Sequence, residues 1–150
     1  MGLSLAFLMT TVWAAPVAVA RVGIAGPWGL LMAGEVYPRA GWSFDGTLSI
    51  TPLAPTYGLG AHTWLGNWGT AAYTFALGLG GDLQLAGPPL RFSALFAPSL
   101  DFRLWIGHKP DFVAGTRLGA GYLTGPGESA LEHLGILTQL YVGIGLERPS

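Results

Sequence analysis

The chain has 150 residues, of which 10% are charged and 51% hydrophobic, with a mean hydropathy of +0.47 and a net charge of −1. An ordinary globular domain is roughly 25% charged, so this chain lacks the polar groups to cover itself in water, and its near-neutral balance offers nothing to nucleic acid. With no cysteine, disulfides, thiolate metal sites and a lipoprotein anchor are excluded, and 24 glycines with 11 prolines argue against helices, inside which proline costs about 3 kcal/mol.

In chain order, the first segment is uncharged and apolar. Its core runs from Leu3 through Ala15, and it closes on Ala18-Val19-Ala20, the small-residue pattern at which a leader peptidase cuts. Residues 1–20 are therefore expected to be a signal peptide, with Arg21 opening a β-barrel domain over 21–150. The alternative is an uncleaved membrane helix, and the segment lacks the usual basic start. Between Asp45 and Asp82 no Lys, Arg, Asp or Glu occurs, a length that would suit a spanning helix. Pro52, Pro55 and eight glycines break it. Strands are the remaining way to satisfy the backbone in lipid.

Period-two alternation predicts strands near 21–36, 42–51, 58–66, 71–84, 90–97, 99–107, 113–123 and 135–147. The first is read as one strand, because Val22, Ile24, Trp28, Leu30, Met32 and Val36 keep one parity across Gly26-Pro27-Trp28-Gly29. A tight turn there would instead make two. Gly66-Asn67-Trp68-Gly69 reads as a turn, Pro98 as a tight corner, and Lys109, Asp111, Glu128 and Glu132 as loop residues. Trp42, Phe44, Leu48 and Ile50 share a face, as do Leu100, Phe102, Leu104 and Ile106. So do Ile136, Leu140, Val142 and Ile144. Every strand charge falls on the opposite face: Arg21, Glu35, Asp45, Asp82, Arg91, Asp101, Arg103, Arg117 and Glu147. A lipid-facing Arg or Lys at mid-depth costs roughly 2–4 kcal/mol, so the segregation predicts a closed antiparallel up-and-down transmembrane β-barrel of about eight strands. Trp28, Trp42, Tyr57, Trp68, Tyr73 and Tyr122 lie near strand ends, where interfacial aromatic girdles belong.

The leader and the alternating strands from Arg21 to Glu147 together resemble the small eight-stranded outer-membrane β-barrel proteins of the A/X-like and W-like class. The resemblance is one of pattern rather than of a motif. It implies a place in the outer membrane of a Gram-negative-type envelope, with membrane lipid, lipopolysaccharide and the barrel-assembly machinery as partners. In such families the last strand usually ends on an aromatic residue; here Leu146 is followed by Glu147-Arg148-Pro149-Ser150.

About eight strands enclose an interior just wide enough for side chains to fill. The inward set is therefore expected to form a salt-bridge plug: Glu35, Asp45, His62, Asp82, Arg91, Asp101, Arg103, Arg117, Gln139 and Glu147. Inward glycines at 60, 78, 80, 115, 119, 121, 143 and 145 would make room for large side chains across the barrel. Ser129, His133 and Glu128 offer the residue types of an acyl hydrolase, but lie within one loop and match no motif. His62, His108 and His133 lack zinc-ligand spacing, and Gly78-Leu79-Gly80-Gly81 lacks the Lys-Ser/Thr of a phosphate loop. No catalytic residue, metal or cofactor is assigned. The leading expectation is a porin-like, non-enzymatic barrel that is structural or passes only very small solutes. The alternatives are an outer-membrane lipid-modifying enzyme and a secreted soluble β-barrel holding an apolar ligand.

Overall fold

The computed structural model describes residues 18–26, 29–39, 41–52, 54–70, 72–86, 93–107, 111–124 and 133–146. Eight strands follow one another: β1 (Val19–Ala25), β2 (Gly29–Arg39), β3 (Trp42–Ile50), β4 (Pro55–Gly69), β5 (Tyr73–Ala86), β6 (Ser93–Ile106), β7 (Asp111–Leu123) and β8 (Leu134–Gly145). Each pairs antiparallel with its chain neighbour, and β1 closes on β8 through seven register pairs from Val19–Gly145 to Ala25–Gln139. The architecture is a closed up-and-down antiparallel β-barrel. Closure leaves no unpaired sheet edge, and both ends of the described chain lie at the end that carries the short turns after β2, β4 and β6.

Several strand ends move by two or three residues, and three expected features differ in kind, each for a physical reason. The stretch expected as one strand over 21–36 is a hairpin, with Ile24 opposite Leu30 and Ala25 opposite Gly29. Paired residues share a face, and here even positions pair with even ones. Constant parity is therefore preserved through the turn and could not detect it. Conversely, the corner expected at Pro98 does not form, and β6 runs straight through it. Pro98 points outward opposite Gly81; having no N–H to donate, it leaves the ladder to β7 open between the pairs Phe96–Tyr122 and Ser99–Gly119, with the register unchanged. Finally, Gly66–Gly69 is strand rather than turn: an irregularity at Leu65 shifts the pairing from Trp64–Gly78 to Gly66–Leu77, and β4 continues. One strand split and two merged, so the count of eight survives. Asp111, expected in a loop, is the first residue of β7 and is buried.

The faces are inverted relative to a soluble sandwich. Outward stand large apolar side chains such as Leu30, Ile50, Leu59, Ile136, Leu140 and Ile144, each more than half exposed. Among the described residues twenty-seven large hydrophobics are exposed, whereas water-soluble monomers rarely show contiguous apolar patches of more than a few hundred Å². Inward stand Arg21, Glu35, Asp45, Asp82, Asp101, Arg103 and Arg117, none more than 5% exposed. Among the described residues, Arg39 at the end of β2 is the one exposed acidic or basic side chain other than the half-buried His133.

Close strand approach depends on missing Cβ atoms at the seam. A Cβ on Gly143 of β8 would lie 2.2 Å from the carbonyl oxygen of Ala20 on β1, whereas one on Gly46 of β3 would meet nothing within 4 Å. Gly143→Val is accordingly expected to prevent the compact barrel, and Gly46→Val to leave it intact. Circular dichroism melting of the two variants checks this; equal melting would contradict the seam geometry.

Candidate functional site: the charged interior

The interior is layered along the barrel axis. At the short-turn end, Val19, Trp64, Ala76, Trp105 and Val113 form an apolar floor with Ala18, and Tyr37 packs on it. At the opposite end two smaller apolar groups, Ala25–Leu31–Tyr141 and Leu95–Ala97–Leu137, flank the space. Between them lies the charge cluster.

Asp101 is its hub. It stands on β6 directly opposite Arg117 on β7. Its Oδ2 accepts from Arg117 Nη2 at 2.8 Å, from Arg117 Nε at 3.1 Å and from Arg103 Nη2 at 2.8 Å. Arg21 Nη1 lies 3.6 Å away, and the hydroxyl of Tyr141 donates to Oδ1. One carboxylate thus meets all three guanidiniums. Arg117 reaches on to Asp82 Oδ1 at 2.8 Å and to Asp45, while Arg21 Nη2 meets Asp45 Oδ2 at 2.6 Å. Arg103 extends the other way, to Glu35 Oε2 at 2.6 Å and Tyr37 Oη at 3.2 Å. Its guanidinium also lies 4.4 Å from the ring of Trp64, within cation–π range. The forked, always-charged guanidinium suits this role, since it can address several carboxylates at once.

Glycines make the space. A Cβ on Gly60 would fall 2.4 Å from Asp45 Oδ1 and 2.8 Å from Asp82 Oδ1; on Gly145 it would strike the Trp105 ring at 2.2 Å. The inward glycines are therefore the counter-shape of the plug, as their parity suggests.

Of the sequence-expected set, Glu35, Asp45, His62, Asp82, Asp101, Arg103, Arg117 and Gln139 are all buried in the interior. Arg91 and Glu147 lie outside the described residues, as do His108, Glu128 and Ser129. The cluster also takes in Arg21, which parity already turned inward but which was not counted in the expected plug, and the neutral partners Tyr37, Tyr141 and Ser99. Their inward parity was the available signal, but an uncharged residue on that face draws no attention.

The interior also brings a serine, a histidine and an aspartate together. His62 Nε2 lies 2.9 Å from Ser99 Oγ and 3.4 Å from Asp82 Oδ2, and Ser99 donates to Asp82. The order is wrong for nucleophilic catalysis. Ser99 gives its one proton to the acid, so its oxygen accepts from His62, whereas a triad needs histidine to accept from serine and the acid to hold Nδ1. His62 Nδ1 has no hydrogen-bond partner among the described residues, and all three side chains are sealed from outside. His133 is occupied elsewhere, its Nδ1 lying 3.1 Å from the carbonyl of Leu123 and its ring stacked on Tyr122. Among the described residues no group of histidine, aspartate and glutamate side chains is arranged to hold a metal ion. Compared with protein-family models, curated proteins and solved structures, the chain matches none.

Breaking a buried ion pair by removing one partner costs about 3–5 kcal/mol, because the other charge is stranded. Arg103→Ala leaves Glu35 with Arg21 at 3.9 Å as its nearest cation and is expected to destabilise by an amount in that range. Denaturant unfolding in detergent micelles measures it; a loss below about 1 kcal/mol, the worth of an exposed pair, would show that the cluster is solvated.

Proposed function

We propose that the protein is an outer-membrane β-barrel whose role is structural, its interior closed to all but very small solutes by the Arg–carboxylate cluster. The observation that carries this reading is the inversion of the faces: apolar side chains cover the outside of a closed barrel and the charges are gathered within. Water gives no reason to expose so much apolar surface, whereas lipid gives a strong one. The outward aromatics fit the same setting. Trp42, Trp68 and Tyr73 stand near the short-turn end, and Tyr57 and Tyr122 near the other, each about half exposed, as interfacial belts require.

The strand lengths agree with this setting. A tilted membrane strand needs about 9–11 residues, and β2 to β8 have between 9 and 15. The closed interior favours a wall or anchor over a pore. Three guanidiniums held by four carboxylates inside a side-chain-filled barrel present a passing ion with an occupied path. No arrangement of the described residues supports the lipid-modifying alternative.

The test is localisation and behaviour of the full chain. It is expected in the outer-membrane fraction, migrating faster on a gel when unheated than when boiled, and to give no steady conductance in planar bilayers. Leu140→Arg, on the outward face of β8, is expected to cost about 2–4 kcal/mol in a bilayer. Recovery as a soluble protein indifferent to that substitution would overturn the reading.

A further inference from the structure

The first strand begins two residues inside the segment that the sequence pattern assigns to the leader. Val19 is fully buried in the apolar floor with Trp105 and Val113, and Ala18 is 4% exposed. Their backbone is integrated on both sides. Ala18 N–H donates to Glu35 O at 2.8 Å, and Leu146 N–H donates to Ala18 O at 2.7 Å. Val19 and Ala20 pair with Glu35 and Gly34 on β2, and with Gly145 and Ile144 on β8. The partner strand is shaped to receive them: Gly143 admits the carbonyl of Ala20, and no side chain could stand in its place.

Cleavage after Ala20 would remove all of this. The closing seam would fall from seven residue pairs to five, the floor would lose Val19 from beneath Trp105, and a new ammonium at Arg21 would sit within the wall between Ala33 and Gly143. We propose that Ala18–Ala20 belong to the barrel, and that the leader is removed by hydrolysis of a peptide bond ahead of Ala18. One water adds across that bond, leaving a carboxylate on the leader and an ammonium on the barrel. This rests on the export reading above. Small residues stand upstream at Ala14 and Ala15, without the A-x-A spacing of Ala18-Val19-Ala20; on this proposal the latter matches the cleavage pattern but serves the barrel.

Ala20 gives a clean discriminator, because it points outward and is exposed. Leucine there is compatible with the apolar outer wall but not with the small residue needed just before a cleaved bond. The full chain and its Ala20→Leu variant are expressed, the folded, heat-modifiable species is isolated from whichever fraction holds it, and its intact mass is measured. The expected result is an N-terminus at or ahead of Ala18 in both, with processing unaffected by the substitution. A folded species beginning at Arg21, or accumulation of uncut precursor only in Ala20→Leu, would overturn the proposal. Absence from the membrane fraction would count against the export reading instead, while the mass would still report whether residues 18–20 are retained.

Discussion

Asp101 gathers the guanidiniums of Arg21, Arg103 and Arg117 onto one carboxylate at the centre of the barrel. Its partners come from β1, β6 and β7, and through Arg103 and Arg117 the contacts extend to Glu35 on β2, Asp45 on β3 and Asp82 on β5. Six of the eight strands are thereby tied to one point by charge. A slip of any of these strands by one residue would turn its charge to the outer face and an apolar side chain inward. The cluster therefore acts against misregister as much as it adds to stability. That distinction matters, because a buried ion pair often contributes little more than a well-packed apolar pair of the same volume, while breaking it is costly.

The outer surface follows from the same constraint. Once the charges are committed to the interior, the alternation of every strand sends Leu, Ile, Val and aromatic side chains outward, and a solvent is needed that accepts them. In the proposed membrane setting, the two halves of the design support each other. Lipid excludes the alternative of charges outward, and the narrow interior of eight strands brings the inward charges within hydrogen-bonding distance. The glycines complete the fit. Gly60, beside Asp45, Asp82 and Arg117, shows that the cluster extends over the bare backbone of β4, a strand that, like β8, carries no Asp, Glu, Lys or Arg.

Much of this was legible in the sequence, because in a strand facing follows parity and parity needs no tertiary information. The inward placement of Asp45, Asp101, Arg103 and Arg117 followed directly from it. What parity could not supply was connectivity. It is blind to the hairpin at Gly26–Gly29, whose even-to-even pairing preserves it. Proline and glycine, read as breakers at Pro98 and Gly66–Gly69, are tolerated where a strand faces outward or carries an irregularity. The partners within the cluster were illegible for a different reason: which acid meets which base depends on the stagger between strands, which alternation does not encode. Arg21 was turned inward by the same parity, and its place in the cluster beside Asp45 and Asp101 adds it to the expected plug.

Arg117 and Asp101 are expected to be coupled in a dry interior, and a double-mutant cycle measures that coupling. Arg117→Ala, Asp101→Ala and the double variant would be unfolded in detergent micelles at low and high salt. A coupling energy above about 1.5 kcal/mol that does not change with salt is the predicted result, as for close charge pairs removed from water. Additivity within about 0.5 kcal/mol, or a coupling that salt abolishes, would contradict it.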